Sequence, residues 1–139
     1  MIKIEEILKG AKLSDQDATI QGNLAILLER LNKVRTAWGK PMNITSGLRT
    51  MAHHIEIYKD LAKQRGKEFN MDQVPMKSRH LIGAAADVAD DDARSLYAWC
   101  VANEALLAQI GLWMEEKDDQ KRVHFQIVPP LSGKRFFKP

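Results

Sequence analysis

The sequence predicts an α+β domain, a small mostly antiparallel sheet with helices packed on it. Three observations lead there. Apolar residues recur at helical spacing between Ala18 and Trp38. Short alternating runs follow near residues 42–46, 84–89, 112–115 and 122–128. A polar turn, Lys117-Asp118-Asp119-Gln120, separates the last two and makes them a hairpin. The 139 residues show no repeat, low-complexity segment or composition break, so residues 1–139 read as one domain.

Each element has its own warrant. Ser14 is an N-cap candidate, with Asp15 and Asp17 in the first turn behind it, where carboxylates favour a helix N-terminus. Ile20, Leu24, Leu27, Leu28, Leu31 and Val34 then form the stripe of a long amphipathic helix, which Gly39-Lys40-Pro41 stops. Met42 to Ser46 alternates like a short strand ending at Gly47. Met51 to about Arg65 reads as a helix with Ile55, Tyr58 and Leu61 on one side, and residues 66–77 as a surface loop. Ala84 to Ala89 is small and alternating and reads as a buried strand. Asp90-Asp91-Asp92 offers an N-cap for a helix to about Gln109, and Pro129-Pro130 ends the last strand before a basic, aromatic tail.

Composition narrows the function. The 21 lysines and arginines against 18 acids give a net charge of +3, too diffuse for a dedicated nucleic-acid binder but favourable to a polyanion such as a cell wall. The single cysteine, Cys100, lies in an apolar stretch and reads as a core thiol. No apolar run approaches the ~20 residues that span a bilayer. The acidic Met1-Ile2-Lys3-Ile4-Glu5-Glu6 start lacks the apolar region of a signal peptide, so no export signal is expected.

The chemistry is concentrated in three residues. In Ser78-Arg79-His80-Leu81-Ile82-Gly83-Ala84-Ala85-Ala86-Asp87 and Val123-His124-Phe125-Gln126, two histidines and a carboxylate form the ligand set of a zinc ion that keeps one position open. Side chains alternate in strands, so Asp87 shares a face with Ala85 and Ala89, and His124 with Gln126 and Val128. If the two strands are neighbours, Asp87 and His124 meet. Gly83 lets the chain turn so that His80 folds back toward Asp87. The adjacent pair His53-His54 cannot share a helix face, and Asp90-Asp91-Asp92 lacks the spacing of a calcium loop.

The ordered set Ser78-x-His80-x-x-Gly83-x-Ala85-x-Asp87, then Val123-His124, with Ser46-Gly47-Leu48-Arg49 upstream, resembles the zinc D-alanyl-D-alanine carboxypeptidase family. That family stands with the lysostaphin and hedgehog proteins in one metallopeptidase superfamily. The likeness spans roughly residues 42–128 and is closest to the compact peptidoglycan peptidases of bacteriophages, the endolysins and related lytic proteins. It implies a hedgehog/D-Ala-D-Ala peptidase-like fold, Zn²⁺ as cofactor and a single zinc metallopeptidase domain. His80, Asp87 and His124 would be the metal ligands.

Arg49 would hold a substrate carboxylate or oxyanion with its planar fork of donors. Ser78 would bind substrate or orient His80. Many relatives place a glutamate three residues before the last histidine, where this chain has Lys121. Among Glu115, Glu116, Asp118 and Asp119, Glu115 is the expected general base and Glu116 the second choice. The implied substrate is the peptide stem of peptidoglycan, cut at the D-alanyl-D-alanine or L-alanyl-D-glutamate bond. The implied setting is a phage protein held in the host cytoplasm until lysis, or carried in the virion. It would be a monomer without nucleic-acid partner or membrane insertion. The alternative is a zinc-containing, non-catalytic cell-wall-binding module.

Overall fold

A computed structural model of the chain describes residues 1–90, 95–117 and 121–138. Its elements run α1 (Ile4–Leu8), α2 (Ala18–Trp38), β1 (Ile44–Ser46), α3 (Met51–Gln64), β2 (Ala85–Ala89), α4 (Ser95–Ala102), α5 (Glu104–Ile110), β3 (Trp113–Glu115), β4 (Arg122–Gln126) and β5 (Phe136–Phe137). The strands form one mixed sheet in the order β1-β2-β4-β3-β5. All neighbours are antiparallel except β3 and β5, which are parallel. The α+β class expected from the sequence is therefore present.

The core explains the order of the layers. Leu24, Leu27, Leu31 and Val34 on α2 are fully buried and share one cluster with Ala86, Val88, Val123, Phe125 and Met114 from one face of the sheet. Burying each such side chain contributes roughly 1.5–3 kcal/mol. Asp87, His124 and Gln126, one position out of phase, occupy the other face. The site therefore sits on the back of a sheet whose front is the core.

Local details refine the sequence reading. Ser14 does not cap α2; it lies in a 3₁₀ turn, and the Asp17 carboxylate accepts the Ile20 N–H at 2.8 Å instead. The expected single helix before Gln109 is two, broken at Asn103, whose Nδ2 donates to the Trp99 carbonyl. The Asp90 carboxylate accepts the N–H groups of Leu96 and Tyr97 at the start of α4, while Asp91 and Asp92 lie outside the described residues. On α3, Ile55, Tyr58 and Leu61 are half-buried, and His54 is the residue that reaches the interior.

Candidate metal centre

Asp87 and His124 are cross-strand partners on β2 and β4. Asp87 Oδ1 lies 2.9 Å from His124 Nδ1 and 3.4 Å from His80 Nε2. His80 comes from a 3₁₀ turn, Arg79–Ile82, closed by Gly83 at φ 71°, a left-handed conformation that favours glycine. A Cβ there would also meet the Leu24 side chain at 2.9 Å. Ligand atoms of His80, Asp87 and His124 all lie within 4.8 Å of one another, and Asp87 and His80 are buried.

The proton positions follow from what each nitrogen faces. His80 Nδ1 is 2.9 Å from the Gly47 carbonyl. A carbonyl only accepts, so Nδ1 carries a hydrogen, and in the tautomer with no second hydrogen the Nε2 lone pair points toward Asp87. Gln126 donates its amide N–H to the Val128 carbonyl at 2.7 Å, which turns its Oε1 to His124 Nε2 at 2.9 Å. His124 Nε2 is therefore the donor, and its Nδ1 lone pair also faces Asp87. Two imidazole lone pairs and a carboxylate converge. Such a set repels itself unless additional protons or a metal ion lie between the groups, so its donor chemistry fits a metal.

Charge is arranged around one carboxylate. Burial by itself would raise the Asp87 pKa, but without a metal ion, protons on the facing nitrogens of His124 and His80 hydrogen-bond to the carboxylate, outweigh burial and hold it well below the usual carboxylate range. Asp87 Oδ2, the oxygen away from the histidines, takes Arg122 Nη1 at 2.5 Å and Arg49 Nη2 at 3.7 Å. One oxygen thus faces the ligand cluster and the other faces two guanidinium groups. For His124, burial opposes the charged ring, while the hydrogen bond that a proton on Nδ1 makes to Asp87 and the nearby Glu115 carboxylate carry its pKa upward. Burial also lowers the Arg49 pKa against the pull of Asp87.

The segment Ser46-Gly47-Leu48-Arg49 is fastened to His80 twice. Gly47 accepts from the His80 ring, and Arg49 N–H donates to the His80 carbonyl at 3.1 Å. Arg49 Nε further donates to Ser46 Oγ at 3.2 Å. A Cβ on Gly47 would fall 2.2 Å from the Ile7 carbonyl oxygen, so only glycine permits this approach of two backbones. A groove of about 380 Å³ opens beside Arg49, between Lys9–Ala11 and Thr45–Thr50, and includes His53.

Other expected site residues are placed as follows. Glu115 is partly exposed, with Oε1 3.8 Å from His124 Nε2. Glu116, next along the strand, is exposed, and its N–H donates to the Phe137 carbonyl. Ser78 is half-buried at the start of the 3₁₀ turn, and its side chain makes no capping bond. Lys121 is exposed; Asp118 and Asp119 lie outside the described residues. His54 is buried, with Nε2 bonded to the Pro75 carbonyl at 2.7 Å, and is not in the cluster. The contacts of Gly47, Arg122 and Gln126 with the cluster are not assigned by the sequence reading. Gln126 had one available signal: it shares the strand face of His124. No family model, curated protein or solved structure matches the chain.

Proposed function

We propose that this chain is a zinc-dependent peptidase that hydrolyses the peptide stems of bacterial peptidoglycan, as an endolysin-like protein does. The observation that carries the reading is the convergence of His80 Nε2, Asp87 Oδ1 and His124 Nδ1 beside a half-buried arginine, Arg49. Two histidines and one carboxylate suit catalytic zinc, which needs three protein ligands and an open position. The ordered motif from Ser46 to His124 supports the same reading by its resemblance to the D-alanyl-D-alanine carboxypeptidases.

His80, Asp87 and His124 would hold the ion, which when bound supplies a Lewis acid and acidifies water. Arg49 supplies a fixed cation at the edge of the groove, where a carboxylate or a developing oxyanion gains most from it. Glu115 is the nearest described carboxylate outside the ligand set and would move the proton from water to the leaving amine. The substrate bond is D-alanyl-D-alanine or L-alanyl-D-glutamate.

A second reading, a non-catalytic zinc-containing cell-wall module, is favoured by Lys121, which stands where many relatives of the resembled family carry glutamate. One experiment separates the two. Purified peptidoglycan is digested with the zinc-loaded protein and the newly formed termini are identified. New alanine or glutamate termini are expected. Stoichiometric zinc without any new terminus would exclude the peptidase and leave the binding module.

A further inference from the structure

We infer that Gln126 is a positioning residue that fixes which nitrogen of His124 meets the metal. The inference rests on the metal-site reading above, but not on the reaction. His80 needs no such helper, because the Gly47 main-chain carbonyl already holds its Nδ1–H. Among the described residues, no main-chain carbonyl bonds to the His124 ring, whose nitrogens face the Asp87 and Gln126 side chains. Its outer nitrogen, Nε2, is met by a side chain, Gln126 Oε1, at 2.9 Å.

The direction of that bond is set one link further out. The Gln126 amide could in principle present either end to the ring. The Val128 carbonyl at 2.7 Å accepts only, so it takes the amide N–H and leaves oxygen for His124. The order Val128 carbonyl, Gln126 amide, His124 imidazole then runs in one sense, ending in a lone pair on Nδ1 aimed at Asp87 Oδ1. Gln126 is 5% exposed, so water does not readily replace it. Partners of this kind orient a ligating ring and raise its basicity.

The same bond bears on Glu115. Its Oε1 is 3.8 Å from the same Nε2, beyond hydrogen-bond range, while Gln126 Oε1 is within it. Gln126 thus takes the ring N–H and leaves the Glu115 carboxylate available for other work.

The test reads metal binding and ring protonation rather than hydrolysis. Zinc affinity is measured by chelator competition in the Glu115→Ala background, so that this carboxylate cannot take over the ring N–H. Adding Gln126→Leu should weaken zinc binding roughly 10–100-fold. Gln126→Glu, which keeps an acceptor, should restore most of the loss. A Gln126→Leu effect below about threefold would overturn the inference, as the range for outer partners starts higher. Nitrogen NMR of the zinc-loaded, otherwise unaltered protein with isotope-labelled histidine needs no variant. It should show His124 bound through Nδ1 with a hydrogen on Nε2. Zinc bound through Nε2 would refute the role of Gln126 while leaving the metal site standing. No zinc binding at all would instead remove the metal site and the inference with it.

Discussion

Asp87 and His124 stand opposite each other on neighbouring antiparallel strands, with Oδ1 of one 2.9 Å from Nδ1 of the other. Strand pairing alone sets this contact, because directly opposed side chains on one sheet face have Cβ atoms ~4.5–5.5 Å apart. A slip of one residue in register would put Phe125 at the site and His124 in the core.

The ligand set is tested by metal content. The unaltered protein should carry about one zinc per chain, the stoichiometry of a three-ligand site. His80→Ala, Asp87→Ala and His124→Ala should each lose it on dialysis. Full zinc in all three variants, measured by elemental analysis, would refute the centre.

Glu115 and Glu116 point to different outcomes. Glu115→Ala should retain zinc and lose roughly 10²–10⁴-fold in peptidoglycan hydrolysis, the usual contribution of a general base. Glu116→Ala should retain zinc and hydrolyse at nearly the unaltered rate, since Glu116 is exposed at the strand end. The reverse pattern would reassign the base.

Gly47→Ala should injure both fold and site. Its Cβ would sit 2.2 Å from the Ile7 carbonyl oxygen, a backbone atom that cannot swing aside. Overpacking of this kind costs roughly 1–3 kcal/mol, read in urea unfolding. Because the Gly47 carbonyl holds His80, zinc affinity should fall in the same variant. Unchanged stability would mean that α1 can withdraw freely.

Asp90 and Lys117 form a buried ion pair at 2.6 Å, with each side chain 3% exposed or less. Burial would raise the Asp90 pKa, but the Lys117 hydrogen bond and the Leu96 and Tyr97 N–H groups reverse it and set it below the ordinary value. A carboxyl with a depressed folded pKa adds stability above its unfolded value of ~3.9 and loses it as pH falls through the folded value. Asp90→Ala, which strands the Lys117 charge, should therefore cost about 3–5 kcal/mol at neutral pH. Its loss should shrink as the pH is lowered below ~4 in denaturant titrations, because the unaltered protein then forfeits the same pair.

Cys100 should be inert in the folded protein. It is fully buried, and burial pushes its thiol up to about 12. Thiol reagents should label it only at the rate of unfolding. Fast labelling under native conditions would show that α4 opens locally.

Much of this was legible in the sequence for definite reasons. The course of α2 and its C-terminal end follow from an apolar stripe of period 3.6 and a Gly-Lys-Pro stop, whereas its cap is Asp17 and not Ser14. The pairing of Asp87 with His124 follows from alternation once two strands are taken as neighbours. Contacts set by main-chain carbonyls left no residue-type signature. Gly47 holding His80, and Val128 orienting Gln126, depend on where a backbone oxygen points. The Arg122 contact with Asp87 required the register of β4, since Arg122 stands opposite Ala89 and reaches diagonally. The break at Asn103 was hidden because the apolar pattern continues across it.

The short strand β5 has a consequence for solution behaviour. Met114 N–H donates to the Arg135 carbonyl and Glu116 N–H to that of Phe137, so the tail caps the outward hydrogen-bonding groups of β3. Without it β3 would be an open sheet edge, the kind of template on which another chain adds and aggregation begins. A protein clipped by protease before Arg135 should therefore self-associate, and gel filtration of such a fragment would reveal oligomers where the intact chain shows none from this edge.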